Sequence, residues 1–118
     1  LSRAPASTLH AVACAALLVA TCVPPAEAQV EGGVFKVTAY CLEGRMRTGL
    51  WVRPGAVAVD PSVIPLWSTL SVEGLGDGFE ALDTGGGVRG AHIDLWMASC
   101  RDAINWGVRY REVSWLTP

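Results

Sequence analysis

What most constrains this chain is its punctuation. Short runs rich in β-branched and aromatic residues recur from Gly33 onward, and glycine, proline or Asp-Pro stops nearly every one. Gly33 to Tyr40 (GVFKVTAY) alternates in the manner of a half-buried strand. A short loop, CLEGRMRTG, follows, and Ala56 to Val59 (AVAV) is a brief apolar strand stopped by Asp60-Pro61. Further strands are expected over Thr69–Glu73, Phe79–Asp83, Ala91–Met97 and Val108–Leu116, with the glycines of GLGDG (74–78) forming a turn. One segment breaks the pattern. SCRDAINW (99–106) reads as a short helix, with Ser99 as N-cap, Asp102 in the first turn and Gly107 as the stop. About six short strands and one helix predict an all-β domain, a small closed β-barrel, because closure removes exposed strand edges.

The chain has 118 residues, enough for one domain. Its start reads as a secretory signal peptide over residues 1–28. Arg3 and His10 precede the apolar run AVACAALLVATCV (11–23), and Ala26 and Ala28 supply an A-x-A cleavage site. The run is too short to span a bilayer as a helix, so an integral membrane protein is not expected. A lipid anchor at Cys22 would need a smaller residue before it than Thr21. Export to the periplasm, cell wall or extracellular space is therefore expected, with a mature domain over residues 29–118.

Cys41 and Cys100 then remain as an even pair in an exported chain, which predicts a disulfide. A metal site is not expected, since His92 is the one histidine after residue 29. Nor is nucleic acid or an anionic membrane surface an expected partner. The net charge is −2 and the arginines are scattered rather than gathered in a basic patch.

The segment with most chemistry is DTGGGVRGAHIDLW (83–96), which admits three readings. Gly85, Gly87 and Gly90 spell G-x-G-x-x-G, but a dinucleotide loop must lead into a helix, and here Ile93, Leu95 and Met97 recur at period two. Leu82 to Gly85 spell the surroundings of an aspartic-protease carboxylate, which a short chain could complete as a homodimer. That reading leaves the glycine run and Asp94 idle. The third uses every part: Asp83 ends a strand, the glycines form a compact loop, and Asp94 lies in the next strand. Alternation sets His92, Asp94 and Trp96 on the face opposite the core. A carboxyl beside an indole suits a sugar, and both burial and repulsion from Asp83 would raise its pKa toward that of a general acid. The plainer possibility is that both aspartates cap turns and pair with Arg89.

Several segments in order now carry a family likeness: VTAYC (37–41), VAVDPSVIPL (57–66), the ALDTGG…IDLW run, and SCRDAINWGVRYREVSWL (99–116). Together they resemble the three-aspartate (3D) domain of bacterial cell-wall enzymes. That family includes stationary-phase survival proteins and the barrel of membrane-bound lytic transglycosylase A. The resemblance implies a six-stranded double-psi β-barrel. It also implies cleavage of the β-1,4 bond between N-acetylmuramic acid and N-acetylglucosamine in peptidoglycan, without a cofactor. In a lytic transglycosylase one acid/base group suffices, because the muramyl primary hydroxyl replaces water as nucleophile, unlike the two-carboxylate hydrolases.

By position, the family's aspartates fall on Asp60, Asp83 and Asp94. Asp94 would be the catalytic acid and Asp83 its tuning neighbour, while Asp60 reads as a turn residue at the edge of the substrate site. Thr38, Thr84, Gly85, Gly86, Arg89, His92 and Trp96 complete the expected substrate contacts. Arg89 stands where lysine is common, and Trp67 where glycine is usual. Trp51, Trp67, Trp106 and Trp115 are expected to pack. The competing class is a peptidoglycan-binding module that keeps the barrel without turnover. A domain of this size would form one wall of a groove, with a second copy or a larger cell-wall partner supplying the other.

Overall fold

A computed structural model describes residues 30–118, together with residues 2, 3, 15, 16 and 18. Apart from those five residues, the expected signal peptide, Cys22 included, lies outside the described residues. Six strands and one helix follow in the order β1 (Val30–Tyr40), β2 (Ala56–Val59), β3 (Thr69–Val72), β4 (Gly76–Asp83), β5 (His92–Trp96), α1 (Cys100–Trp106) and β6 (Arg109–Leu116). The strands close into a barrel in the ring order β1-β5-β2-β4-β3-β6. Two neighbouring pairs are parallel, β1 with β5 and β2 with β4, and the other four are antiparallel. Two parallel pairs in a six-stranded ring are compatible with the double-psi arrangement.

The interior is aliphatic because alternation sends every second side chain inward. Val37, Val57, Val59, Leu70, Val72, Ala81, Ile93, Leu95 and Val113 form one buried cluster, closed by Phe35 edge-on against Trp115. Each fully buried Val, Leu or Ile contributes roughly 1.5–3 kcal/mol through removal of apolar area from water. Gly32 lets β1 and β6 approach, since a Cβ there would meet the Val113 carbonyl at 3.1 Å.

A second, smaller cluster lies outside the ring. The 41–55 loop folds down over β2 and buries Met46 and Val52 against Ala56 and Leu82, with Leu50 and Trp96 at its margin. Thr48 fastens it, its N–H and hydroxyl both donating to the Leu82 carbonyl. Cys41 and Cys100 are disulfide-bonded, with Cα atoms 5.1 Å apart, which ties the end of β1 to the first residue of α1. Ser99 caps that helix by accepting from the Asp102 N–H, and Gly107, at φ 64°, ends it.

Two tryptophans depart from expectation. Trp51 is 58% exposed and Trp67 50% exposed, so neither packs as Trp115 does. Trp67 also has φ 74°, the only positive φ outside glycine among the described residues. Its N–H donates to the Ala81 carbonyl at 2.7 Å, which holds the 60–68 turn against β4 and offsets the strain.

Candidate functional site

The strand register puts four residues in one row across four neighbouring strands. Thr38 of β1 pairs with Asp94 of β5, Asp94 with Ala58 of β2, and Ala58 with Asp83 of β4. Paired residues project to the same side of a sheet. Ile93 and Leu95 are interior, so Asp94 and the whole row face outward. The two aspartates are thus joined by β2, whose small Ala58 separates them, and not by the glycine loop alone.

Strict alternation would have turned Asp83 inward. Phe79 and Ala81 belong to the interior, Glu80 and Leu82 to the outer face, and Asp83 should follow Ala81 inside. The register shifts by one between Val57 and Ala58, leaving Leu82 as an extra residue between Ala81 and Asp83. This bulge returns Asp83 to the outer face, beside Asp94.

The carboxyls of the row have different surroundings. Asp94 Oδ1 accepts from the Thr38 hydroxyl at 2.9 Å. Burial raises the Asp94 pKa, the Thr38 hydrogen bond and the His92 charge oppose that, and the charge of Asp83 adds to it. Asp83 is a saturated acceptor: Oδ1 takes the N–H groups of Arg47 and Thr84, both at 2.9 Å, and Oδ2 takes the Tyr40 hydroxyl at 3.0 Å. Tyr40 stays a firm donor, because burial first, then the charge and hydrogen bond of Asp83, push its phenol above the usual range.

Asp60 lies apart from the row and holds the chain together. Its Oδ2 accepts from the Gly90 N–H at 2.8 Å, and its Oδ1 from the hydroxyl and N–H of Ser62. Those bonds, the one from Gly90 foremost, lower its pKa to about 2. Asp60 therefore clamps the glycine loop to the β2–β3 turn, and both of its oxygens are occupied within the chain.

The remaining expected contacts divide in two. Thr84, Gly85, Gly86 and Arg89 line an open cavity of about 330 Å³ with Arg47, Pro61 and Val88, immediately past Asp83. The Arg89 side chain donates to the Gly86 carbonyl at 3.3 Å. The one ion pair among the described residues is Arg53–Glu80, so neither row aspartate is bound to Arg89. Thr38, His92 and Trp96 are instead engaged with protein. The His92 ring touches the Thr38 hydroxyl and the Gly87 carbonyl, and the Trp96 indole donates to the Leu42 carbonyl at 3.0 Å.

Tyr40 and Arg47 were not singled out from the sequence. Tyr40 sits in the VTAYC run two residues beyond Thr38, hence on the same face, and that spacing is the signal that could have found it. Arg47 contributes a main-chain N–H, which no composition rule marks. A larger cleft of about 510 Å³ lies by the start of β1 and the β3–β4 turn, away from the row. Among the described residues no group of three His, Cys, Asp or Glu is placed to hold a metal. No helix among them is long and apolar enough to cross a membrane.

Residues 55–117 match the model of the 3D domain family. Over 79 residues the chain is 43% identical to the cell wall-binding protein YocH of Bacillus subtilis (strain 168), covering 67% of this chain and 26% of YocH. The putative cell wall shaping protein YabE of the same organism is 41% identical over 76 residues, covering 59% of this chain and 18% of YabE. The chain thus spans about a quarter or less of these two relatives. Among solved structures, MltA from E. coli superposes with a TM-score of 0.52 at 24% identity, over 63% of this chain and 27% of MltA. MltA with bound chitohexaose superposes with a TM-score of 0.50 at 23% identity, over 65% of this chain and 29% of MltA. The barrel fold is shared with MltA, and the chain belongs to the 3D domain family.

Proposed function

We propose that this domain cleaves peptidoglycan glycan strands as a lytic transglycosylase, with Asp94 as its general acid and base. The observation that carries the reading is the contrast within the row: a half-buried Asp94 with a raised pKa next to a saturated Asp83 acceptor. Protonated Asp94 would give its proton to the glycosidic oxygen as that bond breaks. The resulting carboxylate would then take the proton of the muramyl primary hydroxyl as its oxygen closes on the anomeric carbon. Asp83, fixed by three donors, lies beside the place of the developing oxocarbenium, and its charge disfavours early ionisation of Asp94.

The cavity past Asp83, with Arg47 and Arg89 at its rim, gives the strand a place to lie. An exported domain working in the cell wall fits this substrate, and a second copy or larger partner would complete the groove. Mass spectrometry of peptidoglycan incubated with the purified chain tests the reading. Anhydro-muropeptides are expected from the wild type and not from Asp94→Asn, and equal activity of the two proteins would sink it. The likeness to YocH, whose name is that of a cell wall-binding protein, favours a second reading as a glycan-binding module. That reading predicts retention on sacculi with no muropeptide released.

A further inference from the structure

His92 and Asp94 project from β5 on one face, and Thr38 of β1, paired with Asp94 in register, reaches both. Thr38 Oγ1 is 2.8 Å from His92 Nε2 and 2.9 Å from Asp94 Oδ1, and the Gly87 carbonyl is 3.2 Å from His92 Nδ1. We infer that His92 is a positioning residue for Asp94, holding and returning the acidic proton through the Thr38 hydroxyl. The inference rests on the reading of Asp94 as general acid and base, and it adds a residue that never touches the sugar.

The protons on this row of groups can be counted. A carbonyl oxygen can only accept, so the Nδ1 facing Gly87 carries hydrogen. In a neutral ring Nε2 is then bare and must accept the Thr38 hydroxyl hydrogen. A hydroxyl has one hydrogen, so Thr38 must in turn accept from Asp94, and a carboxyl can donate only when protonated. Neutral His92 therefore goes with neutral Asp94. The alternative arrangement holds the same number of protons: the imidazolium donates from Nε2 to Thr38, and Thr38 donates to the carboxylate.

Two concerted transfers interconvert the arrangements. The Asp94 proton moves to Thr38 Oγ1 as the Thr38 hydrogen moves to Nε2, with no net change in charge or oxidation state. Removing one proton breaks the pattern. The single Thr38 hydrogen then faces two acceptors, Asp94 and Nε2, or the ring turns a bare Nδ1 toward the Gly87 carbonyl. The Ile93 carbonyl, 3.4 Å from Thr38, is a third acceptor and relieves nothing. Among the described residues no other side chain bonds to the Thr38, His92 or Asp94 side chain. The charged and titratable groups around the trio are Lys36, across from His92 in register, Asp83 and Tyr40 on the Asp94 side, and Arg89 and Asp60 along the glycine loop.

The test reads the imidazole directly, by long-range proton–nitrogen correlation spectra of the full chain with His92 assigned through His92→Gln. In the wild type the neutral ring is expected as the Nδ1–H form, and in Thr38→Val the Nε2 resonance should shift as its hydroxyl partner is lost, while the circular dichroism spectrum is unchanged. A wild-type ring in the Nε2–H form, or a Thr38→Val spectrum identical to wild type, overturns the inference. Where turnover is present, Thr38→Val and His92→Gln should lower kcat by up to roughly 10²-fold with KM unchanged, and Thr38→Ser should restore it. An unchanged kcat and pH profile in Thr38→Val also overturns it. Because the spectra need no turnover, absence of muropeptide release would defeat the cleavage reading without deciding the relay.

Discussion

Asp60 and Asp94 belong to the same small barrel, yet the chain treats their charges in opposite ways. The β2–β3 turn fills both Asp60 oxygens with amide and hydroxyl donors, and its pKa falls to about 2. Strand β5 half-buries Asp94 between the buried Ile93 and Leu95 and gives it one side-chain donor, and burial raises its pKa. Nearly buried position alone does not set the sign, since Asp60 is only 9% exposed. At Asp60 the donors outweigh burial, and at Asp94 burial outweighs the single donor. A carboxylate that must hold a turn is saturated, and one that must exchange a proton is left short.

Removing the Asp94 charge gives the largest expected effect. Asp94→Asn should cost cleavage about 10²–10⁴-fold, measured as muropeptide release. The same substitution should raise the thermal midpoint at neutral pH. A raised folded-state pKa means that the stability Asp94 contributes is present below its unfolded value of 3.8 and is lost as pH rises through the folded value. The stabilising effect of the substitution should therefore vanish at acid pH, and a gain that persists there would contradict the assignment.

Reduction of Cys41–Cys100, which closes a 59-residue separation, should cost about 4 kcal/mol in denaturant unfolding by the chain-entropy model. It should also loosen the Asp94 side first, because Cys41 adjoins Tyr40 and Leu42, which hold Asp83 and Trp96. Hydrogen exchange should rise at the 41–55 loop before it rises at Ser62 and Gly90.

Asp60→Ala should lower the thermal midpoint by several degrees and mobilise the glycine loop, by stranding the Gly90 and Ser62 amides. Its depressed pKa places its contribution above pH 3.8, to be lost as pH falls through about 2. A wild-type acid-unfolding curve matched by Asp60→Ala would break the contrast with Asp94. The smallest effect is expected from Arg53→Ala, which removes an exposed pair worth about 0.2–1 kcal/mol and should leave both carboxyls unchanged.

Much of this was legible in advance because strands and caps are local. GVFKVTAY, AVAV and SCRDAINW each carry their own period or cap, and they form β1, β2 and α1 with ends displaced by three residues at most. The outward face of His92, Asp94 and Trp96 followed from alternation alone. What lay hidden was non-local. That β2 lies between β4 and β5 depends on the closure of the whole ring. The outward turn of Asp83 depends on one register shift. Trp67 looked like packing because its indole is large, but its backbone conformation and exposure are set by the 60–68 turn.

The extra residue at Leu82 has a consequence for how this strand can change. Parity there decides whether Asp83 faces water or aliphatic side chains, so length carries information that composition does not. Losing one residue between Ala81 and Asp83 would leave every chemical group in place while driving a bare carboxylate in among Val57, Val59 and Ile93. Substitutions at Leu82 for another aliphatic side chain should be tolerated, and a gap should not. In this strand the most damaging single edit is a deletion.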